Sequence, residues 1–249
     1  MFVRLAALAL FLPTAASAQS LAQRVEALGD GTLRLSFAAR PGVCGSGGHN
    51  ITIMSDDDDE SEWESDCRPG PVRVSLHVRD GRVVHANSYV GGRWRPAAAR
   101  TTDLGALPAG RTAGELLALI EQRRADAEEI VTAATLADSA VVWPVLLRIA
   151  RRADLPLDTR RQAVFWLSQA AGEAATRGLD SIVTDANGEL EVRKQAVFAL
   201  SQRPADEGVP ALIRIARSNP HGELRKSALF WLGQSEDPRA IALFEEILQ

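Results

Sequence analysis

Three segments of this chain align with one another without gaps: RRQAVFWLSQ at 160–169, RKQAVFALSQ at 193–202 and RKSALFWLGQ at 225–234. Their spacing is 33 and then 32 residues. Each is followed by a second apolar stretch with helical spacing: GLDSIV, then VPALIRIA, then RAIALFEEIL. Upstream, WPVLLRIAR at 143–151 matches VPALIRIAR at 209–217, two repeat lengths away, and EEIVTAATLA before it reads as a degenerate first copy. A period of this size dictates an architecture. One helix pair cannot bury its apolar face alone, so successive pairs must stack into a solenoid. The expectation is four helix pairs from about Ala125 to Leu248, with Thr112–Arg123 as an N-terminal capping helix. Asp237-Pro238 and Asn219-Pro220 each read as a cap residue before a proline at the first helical position. Asp158, Glu191 and Glu223 fall early in the first helices, where the macrodipole favours acids.

The stretches ELEVRKQAVFALSQ and HGELRKSALFWLGQ, each followed by a second helix, resemble the short HEAT-like repeats first noted in phycobilin lyases. The resemblance covers roughly the last half of the chain and implies a HEAT-like α-solenoid, as in exported bacterial proteins with HEAT repeat domains. As a statement of function it is weak, because such repeats serve many scaffolds. The di-iron hydroxylase among the relatives uses repeated His-Glu dyads. This chain has no His-Glu dipeptide, and His221 is its only repeat histidine.

Within the repeats two recurring features are candidates for partner binding. Around Val192, a step of 100° per residue puts Val192, Ala196, Ala199 and Leu200 on one core-facing stripe. Phe198 lies off that stripe, and its equivalents are Phe165 and Phe230. These three form either an aromatic ladder for a partner or, as the favoured reading, the packing between neighbouring first helices. Trp166 and Trp231 lie nearer the stripe and read as structural. Basic residues also recur at the helix starts: Arg160 with Arg161, Arg193 with Lys194, and Arg225 with Lys226. The dipole alone does not favour cations there. A ladder of ion pairs between repeats with Asp158, Glu191 and Glu223 is the favoured reading, and a basic row for an acidic partner is the other.

The N-terminal part differs. Arg4, the apolar run Leu5–Leu12 and the small-x-small pattern Ala16-Ser17-Ala18 have the form of a signal peptide over 1–18, cleaved before Gln19. A periplasmic or secreted protein follows from this reading. No later segment has the ~18 uninterrupted apolar residues a membrane span needs. The two cysteines, Cys44 and Cys67, most simply form one disulfide in an oxidising compartment, with a pair of metal ligands as the alternative. Strand patterns run through 31–92. Leu33, Leu35 and Phe37 alternate, as do Val72, Val74, Leu76 and Val78. Asp80-Gly81 then marks a tight hairpin before RVVHANSYV. The fold class expected is α+β: a small disulfide-linked β-rich domain over 19–94, a Pro/Ala/Gly-rich linker over 95–111, and helical repeats over 112–249.

Few residues in the β-rich part point to chemistry. Eight acids fall among the eleven residues from Asp56 to Asp66. Asp56 and Asp58 are weak candidates for Ca²⁺, but the run lacks the EF-hand pattern and reads as a solvated loop tethered by Cys67. The glycines of CGSGGHN, which ends in His49 and Asn50, read as a flexible turn, since strands rather than a strand and a helix flank them. His77 and His85 flank the Asp80-Gly81 turn and would face each other only across a one-residue bulge. They are weak metal candidates with no evident third ligand. No G-x-S-x-G, H-E-x-x-H or phosphate-binding loop is present. A net charge of −4 argues against a general nucleic-acid binder. The reading is a non-enzymatic protein-interaction scaffold with a protein partner, no cofactor and no membrane span. The alternative is a metal-binding protein or enzyme accessory subunit with its site in the β-rich part.

Overall fold

The computed structural model describes residues 19–48, 51–53, 67–125, 128–170 and 172–248. The expected signal peptide, His49, and the acidic run with Asp56 and Asp58 lie outside the described residues.

The fold is mixed α+β. A short helix, α1 (Leu21–Leu28), opens it, closed at its start by a capping box between Ser20 and Gln23. Strand β1 (Gly31–Phe37) follows, with Leu33, Leu35 and Phe37 buried as its alternation requires. Strand β5 (Val72–Arg79) pairs antiparallel with β1, and β6 (Arg82–Val90) pairs antiparallel with β5 through the Asp80-Gly81 turn. Both turn residues have positive φ, 51° and 66°, as a tight primed turn demands. A bulge between His77 and Val78 then shifts the register by one residue. Its effect is visible in β6, whose buried positions change phase from Val83 to Ala86 and Val90.

Three shorter strands, β2 (Val43–Gly45), β3 (Ile51–Ile53) and β4 (Arg68–Pro69), form a second sheet in the order β3-β2-β4. The Cys44–Cys67 disulfide ties β2 to the residue before β4, with a Cα–Cα distance of 5.2 Å. The glycine-rich loop after Cys44 has a packing role rather than a simple turn role. The Gly47 amide donates to the Val90 carbonyl at 2.9 Å, and a Cβ on Gly47 would lie 2.7 Å from the Gly92 Cα. Only glycine permits that backbone approach.

The stretch 95–111, expected as a linker, instead carries strand β7 (Thr101–Ala106), which pairs in parallel with β1 and completes a sheet of order β6-β5-β1-β7. Its exposure does not alternate cleanly, so backbone pairing rather than side-chain burial holds it. The first repeat-side helix, α2 (Ala109–Glu121), begins before the expected Thr112.

The helix pairs then follow in order: α3 (Glu128–Thr135) with α4 (Trp143–Arg151), α5 (Leu157–Ser168) with α6 (Glu173–Val183), α7 (Leu190–Ser201) with α8 (Ala205–Ser218), and α9 (Gly222–Gly233) with α10 (Pro238–Ile247). First helices pack on first helices and second on second, as the repeat period requires. The stripe of Val192, Ala196, Ala199 and Leu200 is buried. Asp237 caps α10 through the Arg239 amide. Asn219 does not cap a helix start, however. It closes α8, and its side chain accepts from the His221 amide, so α9 begins two residues after Pro220.

The sheet and the repeats share one hydrophobic core. It runs from Leu35 and Leu76 through Leu116, Ile120 and Ile130 to Leu232 and Leu243 without a break. Helix α3 packs on β6, Ala39 bridges Ala137, and Val83 bridges Ala125.

The disulfide closes a loop with a sequence separation of 23. Loop-entropy scaling gives such a bond about 3 kcal/mol. The Cys44→Ser/Cys67→Ser double variant is therefore expected to lose about that much unfolding free energy in urea. An unchanged midpoint and slope would show that the small sheet holds without it.

Candidate functional site

The recurring basic residues at the first-helix starts separate into two groups. Arg160 and Arg193 are buried, with 3% and 6% exposure. Arg160 Nε donates to the Ala150 carbonyl at 3.2 Å and its Nη1 pairs with Glu189 at 2.6 Å. Arg193 Nε donates to the Val183 carbonyl at 3.0 Å, and Arg225 Nη1 donates to the Asn219 carbonyl at 2.7 Å. Each acceptor is at the C-terminal end of the preceding second helix. The arginines thus stand at the start of one helix but serve the end of another, where carbonyls lack intrahelical partners and the dipole favours cations. Two further arginines act alike. Arg152 donates to the Glu121 carbonyl at the end of α2. Arg203 donates to Ser168 and Ala170 carbonyls at 2.9 and 2.5 Å, and also to Thr176 and Glu207. The buried Arg160 and Arg193 are therefore structural and not a surface for a partner.

Lys194 and Lys226 have a different setting. They pair with Glu191 at 3.3 Å and Glu223 at 3.1 Å, each three residues away on the same helix. Arg161 reaches Asp158 in the same manner at 3.9 Å. Asp158, Glu191 and Glu223, the acids expected to form a ladder between repeats, instead pair within their own first helices, and the Arg160–Glu189 pair is the link between repeats that these doublets make among the described residues. The Lys226 ammonium beside Glu223 holds that carboxyl below its ordinary pKa.

The flank phenylalanines are brought into contact with neighbouring aromatics. Phe198 on α7 packs on Trp231 of α9, with ring centroids 4.9 Å apart. Phe230 meets the same indole edge-on at 5.0 Å, and Phe165 meets Trp166 at 5.4 Å. Phe165 and Phe198 are half-buried, whereas Phe230 is 58% exposed. Packing between first helices thus accounts for Phe198, and leaves Phe230 as an open aromatic face. Lys226 precedes Phe230 by one turn, so the two share a face of α9. Of the described residues, the large apolar side chains most exposed on helices are Phe230, Ile241 and Ile247, all on the last pair.

In the sheet, the bulge places His77 opposite His85, with stacked rings 5.6 Å apart. Thr32 lies within 3.4 Å of His77 Nδ1 and Asn87 within 3.1 Å of His85 Nε2. Among the described residues, no group of three or more His, Cys, Asp or Glu is placed to hold a metal ion. Burial, and secondarily the charge of His85, push the His77 pKa down.

One further position had no signal in the sequence. Arg40 leaves the sheet just after β1 and lines a cavity of about 430 Å³ together with Trp143 and Trp166 of the repeats. Burial lowers its pKa, and its Nε is buried without a hydrogen-bond partner.

Comparison with known proteins is consistent with this architecture. The family model described as HEAT repeats matches residues 179–249, which spans the last two helix pairs and the end of α6. HEAT repeats generally mediate protein–protein interaction. None of the curated proteins matches the chain. Among the described residues, no helix is long and apolar enough to cross a membrane.

Two outcomes test these assignments. Arg193→Ala removes a charged hydrogen bond from a buried carbonyl and should cost about 2–3 kcal/mol in urea unfolding, whereas Lys194→Ala should stay within about 0.5 kcal/mol. Equal effects would contradict the division. His77 has a depressed folded pKa, so the unfolded chain binds more protons near its ordinary value of about 6.5. Its contribution is complete above that value and is lost as pH falls through the folded pKa. Unfolding free energy should decline as pH drops below about 6.5, and His77→Gln should remove that part of the decline. An unaltered slope in the variant would refute it.

Proposed function

We propose that this protein is a non-enzymatic interaction scaffold that docks a protein partner on the first-helix flank of its last repeats and works outside the cytoplasm. The observation that carries the docking surface is the open aromatic face of Phe230, backed by Trp231 and Phe198 and flanked by Lys226. Aromatic side chains on a rigid helix give large contact area at small entropic cost, and a basic neighbour selects for an acidic rim on the partner. The fixed stack presents this face without reorganisation, because arginine-capped helix ends and a shared core hold α7 and α9 in register. The exported location is supported by the Cys44–Cys67 disulfide and by the signal-peptide pattern of the first residues. The resemblance of the repeats to the phycobilin-lyase type belongs to this reading as well.

The test is site-specific photocrosslinking in the native host. A photoreactive residue at position 230 should give one discrete protein adduct, and the same residue at the exposed Arg177 on α6 should give none. Identical adduct patterns from the two positions, or none from position 230, would refute docking on this face.

A further inference from the structure

The sheet and the repeats meet around the segment that follows β1. The Arg40 amide donates to the Leu136 carbonyl at 2.8 Å, and the Asp138 amide donates to the Ala38 carbonyl at 2.9 Å. This two-way pairing fixes Arg40 against the connection between α3 and α4. The cavity beside it has walls of Trp143, Trp166 and Val142, with Ala140 and Gln169 at its margin.

Among the described residues nothing compensates the charge in this cavity. No ion pair joins Arg40 to an acid among the described residues, and its Nε is buried without an acceptor. The other large clefts neutralise themselves. Between α6 and α8, Arg214 pairs with Asp180 at 2.8 Å and Arg177 with Glu173 at 2.8 Å. Beside the hairpin tip, Arg124 pairs with Glu26 at 3.0 Å. Arg34 also has an unpartnered Nε, but its guanidinium lies over Trp94 at 4.7 Å and donates to the Arg95 carbonyl. Among the described residues Arg40 has neither compensation.

A guanidinium half-buried among apolar walls is costly unless an anion meets it. Its planar fork matches a carboxylate, and the indoles of Trp143 and Trp166 offer surface to an apolar group attached to that carboxylate. The backbone adds a second kind of donor. Ser139, Ala140 and Val141 are among the residues lining the cavity, and their amides donate to no acceptor among the described residues. Unused amides beside a cation suit the end of a peptide chain better than a free hydrocarbon acid, because a peptide supplies main-chain carbonyls as well as the carboxylate.

We propose that this cavity receives the C-terminal carboxylate of a partner polypeptide whose last side chain is apolar, with the carboxylate on Arg40 and the side chain against Trp143 and Trp166. The proposal rests on the scaffold reading only in taking a protein as the partner. It names a second contact, separate from the face around Phe230.

The test uses the full chain and N-acetylated pentapeptides ending in leucine, isoleucine, valine, phenylalanine or tryptophan, each as the free acid and as the C-terminal amide. The amide signals of Ala140 and Val141 and the indole signals of Trp143 and Trp166 are followed by NMR. At least one free acid should shift all four to saturation. Its amide should bind at least about tenfold more weakly, and Arg40→Gln should lower the affinity by a similar factor with the helical signal intact. If Arg40→Gln fails to fold, Trp143→Ala is read in its place, with the same loss expected. Equal binding of acid and amide overturns the proposal. So does decanoate binding as tightly as the best peptide, which would make this a free-acid site. No shift by any peptide at about 5 mM also overturns it. A crosslink at position 230 with no response at Trp143 ends this site and leaves the scaffold reading intact.

Discussion

The main-chain pairing between the end of β1 and the connection of α3 to α4 is the constraint on which the rest depends. It joins two kinds of structure that could each have had its own core. A sheet with four main strands and a stack of helix pairs both need an apolar partner surface, and each supplies the other's. Helix α3 lies on β6, α2 continues directly from β7, and the buried side chains form one cluster from sheet to last repeat. A stack of repeats otherwise ends in an exposed apolar face that needs a cap. Here the sheet is that cap.

Arginine then does along the stack what the junction does at its base. Helix ends leave carbonyls without partners, and in a stack those ends are packed against the next pair, where water reaches them poorly. A guanidinium reaches several carbonyls at once with a rigid fork of donors, which an ammonium does not. The chain's two lysines, Lys194 and Lys226, are both in outward pairs with a nearby glutamate. Once the inner arginines are committed to carbonyls, the residues we propose to meet a partner are the outer lysines, the open Phe230 and Arg40, which no ion pair joins to an acid among the described residues.

Much of this was legible in the sequence because it is periodic or locally coded. The helix pairs follow from three aligned segments, the hairpin from Asp80-Gly81, and β1 and β5 from their alternation. What was illegible depends on contacts distant in sequence. Strand β7 has no alternating pattern because backbone pairing with β1 holds it. Strand β2 owes its place to a disulfide partner and to the Gly47–Gly92 approach. The recurrence of Arg160, Arg193 and Arg225 was plain, but the direction of their side chains depends on where the previous helix ends. Asn219 looked like a helix start because a proline follows it, yet its side chain turns the chain out of α8. The bulge that brings His77 to His85 was one of two registers the hairpin allowed. Arg40 is a single arginine after a strand, and its setting, with no ion pair among the described residues, is made by the junction.

The most direct test of a shared core is native-state hydrogen exchange on the full chain across a urea series. Amides of β1 and β5 and amides of α3 and α5 are compared by their opening free energies and urea slopes. The account predicts that these two sets converge on one opening, with the same free energy and the same slope, because the junction makes sheet and first repeats a single cooperative unit. Exchange of the β1 and β5 amides through a separate, lower-energy opening, while α3 and α5 stay protected, would contradict it.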